Sequence, residues 1–168
     1  METNALVIIA LGANVSDPRR NLLRAMERIQ EFSDHPLARS SLWRTSPVDC
    51  PPGSPDFLNA VVALVPRPGE TPESLFAKLQ ALEKDFGRTQ KTVPNEPRPL
   101  DLDLIAFGNE IRATNELTLP HPRACHRRFV LAPLAEIASG LVLAGQSDTV
   151  AALLESLGLG DAVFKLEE

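Results

Sequence analysis

Tyrosine is missing from this 168-residue chain, tryptophan occurs once, and aromatic residues make up only 5% of it. A sheet that reads RNA needs exposed aromatics on its central strands and a basic face. A chain poor in rings and carrying a formal net charge of -5 has the opposite balance, so a nucleic-acid partner is not expected. Cysteine is nearly as scarce. Cys50 and Cys125 are the only two, and they form no C-x-x-C pair. Structural zinc is therefore not indicated, and free thiols in a reducing cytoplasm are the simplest expectation. Long apolar runs are lacking as well. The first, Ala5 to Ala13, is too short to cross a bilayer and follows no basic leader, so neither a membrane partner nor export is expected.

What remains is the composition of an ordinary globular enzyme, 43% hydrophobic and 23% charged. The length suits a single domain over residues 1–168 with a sizeable core. No internal repeat, low-complexity tract or linker interrupts it. The positive charge is uneven: Lys84, Arg88, Lys91, Arg98, Arg112, Arg123, Arg127 and Arg128 fall within one stretch. An anionic small molecule could be held there, although a solvated basic face would look the same.

The most informative segment is Arg98-Pro99-Leu100-Asp101-Leu102-Asp103-Leu104-Ile105-Ala106-Phe107. Leucine and aspartate alternate with the period of two that a strand requires. The leucines then enter a core, and both carboxylates stand on the opposite face about 7 Å apart along the strand. Their mutual repulsion would be relieved by a hard divalent cation. Oxygen ligands suit magnesium, which commonly takes one or two carboxylates plus substrate phosphates. Taken alone, the segment is equally readable as an amphipathic strand with two solvated acids.

The rest of the chain alternates strands and helices. Leu6 to Leu11 reads as a buried strand, with Gly12-Ala13-Asn14 turning the chain away. Asp17 caps a helix whose first residue is Pro18 and whose apolar face is Leu22, Met26 and Ile29. Ser40 to Thr45 and Phe57 to Val65 read as strands around a proline-rich loop. Thr71 with Pro72 opens a second helix with the stripe Leu75, Leu79, Leu82 and Phe86, ended by Gly87. Arg88 to Pro99 is polar and without periodicity, which suggests a mobile loop. Gly108-Asn109 predicts a hairpin from the acidic strand into Glu110 to Arg112. Phe129 to Ile137 is expected to be helical despite Pro133, and Asp148 is expected to cap a last helix. The β-α-β-β-α-β order predicts a ferredoxin-like α+β fold, a mostly antiparallel sheet with helices packed on it.

Several short motifs then combine: Gly12-Ala13-Asn14, Trp43-Arg44-Thr45, Asp56-Phe57-Leu58-Asn59-Ala60, Gly87-Arg88, the Arg98 to Asp103 segment, Pro120-His121-Pro122-Arg123 and Arg127-Arg128-Phe129. In this order and spacing, from about residue 5 to 145, the chain closely resembles the 6-hydroxymethyl-7,8-dihydropterin pyrophosphokinases of folate biosynthesis. The resemblance implies transfer of the β,γ-pyrophosphate of ATP to the hydroxymethyl group of a reduced pterin, releasing AMP. It implies ATP as co-substrate and two magnesium ions on Asp101 and Asp103, with Arg88 and Arg98 on the phosphates as further catalytic residues. Gln80, Glu83, Lys91, Thr118, His121 and Arg127 match further nucleotide positions. Phe57 and Phe129 match a pterin-stacking pair, Asn59 an amide reader of the pterin edge, and Thr45, Ser46 and Val48 the loop whose backbone meets that edge. Taken singly, each phenylalanine is as readable as core. A cytoplasmic monomer acting on small molecules is expected.

One segment departs from the pattern. Between Arg88 and Arg98 many similar chains carry additional arginines and a Trp-Gly pair, where this chain has Gln90, Pro94 and Asn95. Glu116 also stands where an arginine is often found. A different lid with altered ATP affinity is expected. A catalytically silent pterin-binding relative is the rival reading, since fold does not guarantee function; the intact aspartate pair argues against it.

Overall fold

Strand β1 (Val7–Ala13) runs through the middle of a six-stranded antiparallel sheet in the computed structural model. The structure describes residues 6–45, 56–87, 99–158 and 163–166. Helix α1 (Pro18–Gln30) follows, then the short strands β2 (Ala38–Arg39) and β3 (Trp43–Thr45), and the long strand β4 (Phe57–Leu64). Helix α2 (Pro72–Asp85) leads to β5 (Asp101–Phe107). A small ribbon of β6 (Arg112–Ala113) and β7 (Thr118–Leu119), a 3-10 turn (Ala124–His126), helix α3 (Arg128–Ala138), helix α4 (Val150–Ser156) and β8 (Val163–Lys165) complete the order.

The sheet order is β5-β1-β4-β3-β8, with β2 also pairing β4. Taking β2 and β3 as one interrupted strand, this is the ferredoxin-like arrangement that the β-α-β-β-α-β order predicts. Helices cover both faces. Val7, Ile9 and Leu11 pack with Leu22, Met26 and Ile29 of α1, and with Leu75, Leu79 and Leu82 of α2. Ile8, Val61 and Ile105 point the other way, against Val130, Leu131 and Leu134 of α3. A strand buried on both faces must be apolar throughout, which explains why the Val7 to Leu11 run lacks alternation.

Local chemistry sets the helix starts. The Asp17 carboxylate accepts from the Arg20 N–H with Pro18 at the first position, as predicted. Thr71 and Ser74 form a reciprocal capping box ahead of Leu75. Gly87 follows α2 with φ of 90°, a conformation that costs glycine little.

Four local expectations are corrected. Gly12 and Ala13 belong to β1 rather than to a turn. Ser40–Thr45 is not one strand: the ladder breaks at 40–42, where the Ser40 hydroxyl accepts the Val61 N–H. The turn at Gly108-Asn109 forms but makes no hairpin, because Arg112–Ala113 pair with β7 rather than with β5. Thr149, not Asp148, caps α4, its hydroxyl accepting from the Ala152 N–H. No helix among the described residues is long and apolar enough to cross a membrane.

Candidate active site

The acidic strand folds as its period requires. Leu100, Leu102 and Leu104 are buried in the core beneath α1 and α2, while Asp101 and Asp103 are only partly buried. In the register of β5 on β1, Asp101 faces Gly12 and Asp103 faces Ala10. Directly opposed residues on neighbouring strands share a sheet face. Beyond β1, Gly12 is opposite Asn59, and Asn59 is opposite Trp43. One row across the sheet therefore reads Asp101, Gly12, Asn59, Trp43. A second row nearer the strand ends pairs Phe57 with Thr45.

Gly12, read in the sequence only as part of a turn, sits in the middle of this row. A Cβ there would come within 3.2 Å of Asn59 Oδ1 and 3.9 Å of the Leu58 carbonyl oxygen. The missing side chain leaves room between the acidic strand and Asn59. It also places Asn59 Oδ1 above the floor of that gap. The Asn59 amide nitrogen donates to Thr45 Oγ1 at 2.9 Å, both residues being buried, which fixes the amide's orientation. Asn14, also buried, closes the end of β1.

The opposite wall comes from the segment entering α3. His121 is anchored by its backbone N–H on the Ile105 carbonyl at 2.8 Å, just past the aspartates on β5. Its Nδ1 accepts the Arg123 N–H at 3.2 Å, so in the neutral ring the proton sits on Nε2. Burial holds the His121 pKa below its ordinary value, and the charges of Arg127 and Arg123 push the same way against the weaker pull of Asp101. His121 is thus a neutral hydrogen-bond donor beside an acidic strand and two arginines. Arg127 lies with its guanidinium 5.3 Å from the centroid of the Phe129 ring, within cation–π range. Phe129 occupies the first turn of α3 and is half-buried at the edge of the second core. Phe57 is half-buried as well.

Two contacts brace the acidic strand from below. Glu83 on α2 accepts the Leu102 N–H at 2.7 Å, and Asn21 on α1 donates from Nδ2 to both the Ser16 and Pro99 carbonyls, at 2.9 and 3.1 Å. Thus Glu83, expected at the nucleotide, bonds to the backbone between the aspartates. Gln80 is exposed one turn earlier on α2, and Thr118 is exposed on β7. The structure therefore gathers Asp101, Asp103, His121, Arg127, Phe129, Asn59, Thr45 and Phe57 on one side of the sheet. Ser46, Val48, Arg88, Lys91 and Arg98 lie outside the described residues.

Residues 8–139 match the family model for 7,8-dihydro-6-hydroxymethylpterin-pyrophosphokinase. A 2-amino-4-hydroxy-6-hydroxymethyldihydropteridine pyrophosphokinase of Haemophilus influenzae is 39% identical over 136 residues, covering 80% of this chain and 82% of that protein. A mitochondrial folate synthesis bifunctional protein of Pisum sativum is also 39% identical, over 86% of this chain but only 27% of its own length. The chain thus spans most of the single-activity relative and about a quarter of the bifunctional one. Among solved structures, HPPK-DHPS of Plasmodium falciparum superposes with a TM-score of 0.70 at 12% identity, over 90% of this chain and 41% of that one; at that identity it speaks for the fold alone. This chain belongs to the 7,8-dihydro-6-hydroxymethylpterin-pyrophosphokinase family.

Proposed function

We propose that the chain transfers the pyrophosphoryl group of ATP to the hydroxymethyl group of 6-hydroxymethyl-7,8-dihydropterin, a step of folate biosynthesis, releasing AMP. Family membership supports the reaction class and ATP as co-substrate. The single observation that carries the site is the row Asp101, Gly12, Asn59 across three neighbouring strands. It sets an acidic, phosphate-side group and an amide hydrogen-bonding group on one sheet face, with a side-chain-free gap between them.

Asp101 and Asp103 are the residues to hold magnesium. Their donor set is all oxygen, and Gly12 and Ala10 beside them leave room for phosphates. When bound there, two magnesium ions would neutralise triphosphate charge and lower the pKa of the attacking hydroxyl. The remaining work is positioning and charge neutralisation, as in phosphoryl transfer generally. Neutral His121 donates from Nε2 to a phosphate oxygen, and Arg127 supplies a fork of donors beside it. Arg88, Lys91 and Arg98 are proposed for the rest of the triphosphate, with Gln80 and Thr118 toward the nucleoside. Glu83 serves by fixing the acidic strand.

On the other side, Asn59 Oδ1 reads an N–H on the pterin edge, its amide nitrogen being engaged by Thr45. Phe57 and Phe129 flank the flat ring, and Thr45, Ser46 and Val48 border it. In this reading both substrate sites come from a single domain, and the chain is proposed to act as a cytoplasmic monomer. Incubation with ATP, magnesium and hydroxymethyldihydropterin tests the reading: AMP and pterin diphosphate are expected in equal amounts. Pterin binding without AMP would instead support a silent relative.

A further inference from the structure

We propose that Glu136 is the positioning residue that sets the width of the pterin slot, by tying the helix that carries Phe129 to the strand that carries Thr45. The inference rests on the pterin reading of that site.

Glu136 is the hub of a side-chain network at this side of the sheet. Its Oε1 accepts the Ser41 N–H at 2.9 Å and the Trp43 indole N–H at 3.2 Å. Its Oε2 accepts the Ser41 hydroxyl at 2.6 Å, and Lys165 Nζ lies 3.3 Å away. A carboxylate has about four lone-pair sites, so these donors fill it. Burial alone would raise its pKa, but the bonds from Ser41, Trp43 and Lys165 hold it below the ordinary carboxylate range and keep it ionised.

The two ends of this network are the two walls of the slot. Phe129 and Glu136 are seven residues apart on α3, two turns along the same helix face. Pro133 lies between them, and its missing N–H deprives the Phe129 carbonyl of its helical partner. The helix ladder is incomplete where Phe129 needs support, which leaves side-chain anchors to place it. On the other wall, Ser41 and Trp43 lead into β3, where Trp43 pairs with Asn59 and Thr45 pairs with Phe57. Strand β3 is only three residues long, so its ladder offers few bonds to hold it and the anchor at Ser41 and Trp43 adds to them. Strand β8, which flanks β3, brings in Lys165 opposite Trp43. A ring slot tolerates little change in width, since dispersion contacts fall off within an ångström of gap.

The test measures pterin and ATP binding separately, with steady-state kinetics, on Glu136→Ala and Glu136→Gln. Losing a filled, charged acceptor is expected to weaken pterin binding about tenfold in Glu136→Ala, with ATP binding and the catalytic rate nearly unchanged. Glu136→Gln keeps one acceptor oxygen and should recover much of that loss. Emission of Trp43, the only tryptophan, should shift in the Ala variant as the indole loses its acceptor. Equal losses for both ligands, or unchanged pterin binding in a folded Glu136→Ala, would overturn the inference. Asn59→Ala and Phe129→Ala in the same assay separate the two levels. If they leave pterin binding intact, the pterin reading itself fails; if they weaken it while Glu136→Ala does not, only the positioning role falls.

Discussion

The carboxylate of Glu83 accepts a 2.7 Å hydrogen bond from the backbone N–H of Leu102, the residue that separates Asp101 from Asp103. Among the described residues strand β5 is at the edge of the sheet, paired to β1, and an edge strand leaves backbone donors to be satisfied elsewhere. Glu83 satisfies one at the point where the two aspartates diverge. Partners that orient metal ligands commonly change affinity by about 10–100-fold when removed. Glu83→Leu should therefore raise the magnesium concentration needed for half-maximal activity by roughly that factor. Glu83→Gln keeps an acceptor and should lie between. A magnesium titration decides it: an unchanged requirement in Glu83→Leu would mean that the strand holds the aspartates unaided.

Replacing Asp103 by Asn should remove most activity while leaving the fold, because the leucines on either side supply the core contacts. A loss on the order of 100-fold is the scale for deleting one preorganised electrostatic partner of a transition state. Chelation of magnesium should abolish transfer by the unmodified chain. Thermal unfolding of Asp103→Asn close to that of the parent, together with the rate loss, would place the effect at the site.

Gly12→Ala should act on the pterin rather than on the metal. Its Cβ would stand 3.2 Å from Asn59 Oδ1, so the amide must yield and strain its bond to Thr45. Overpacking of this kind costs about 1–3 kcal/mol. The expected signature is a raised pterin KM with an unchanged magnesium requirement. Unaltered pterin binding would show that the gap over β1 is not used.

The pH dependence follows from His121, whose pKa is lowered first by burial and then by Arg127 and Arg123. The unfolded chain binds the proton more readily, so between the lowered folded value and the ordinary value near 6.5 stability rises with pH. This contribution is complete above that ordinary value and is lost as pH falls toward the folded one. An NMR titration of the magnesium-free and nucleotide-free protein should place the imidazole midpoint below 6.5. Arg127→Ala should move its midpoint upward; no movement would leave burial and Arg123 as the causes.

Much of the fold is legible in the sequence because it is encoded locally. Asp17-Pro18 and Thr71-Pro72 start helices through bonds three residues away. The alternation of leucine and aspartate from 100 to 104 assigns each side chain to a face, whatever strand lies alongside. The aspartate pair was readable for the same reason, whereas Phe57, Phe129 and His121 were singled out only through the resemblance.

What periodicity cannot say is which strand becomes the neighbour. That Asp101, Gly12 and Asn59 form a row depends on β1 pairing with both β5 and β4, contacts whose partners are tens of residues apart. Partner choice likewise denied the Gly108 turn its hairpin, since β6 pairs β7 and not β5. The pairing of β5 with β1 also shifts register between Ile8 and Ile9, so that Ile105 and Ala106 both face the second core. Glu83 and Glu136 look like ordinary helix-surface acids in the sequence. Only the packed structure aims them, because a hydrogen bond needs its donor within about 3 Å and no local pattern records a donor on another element.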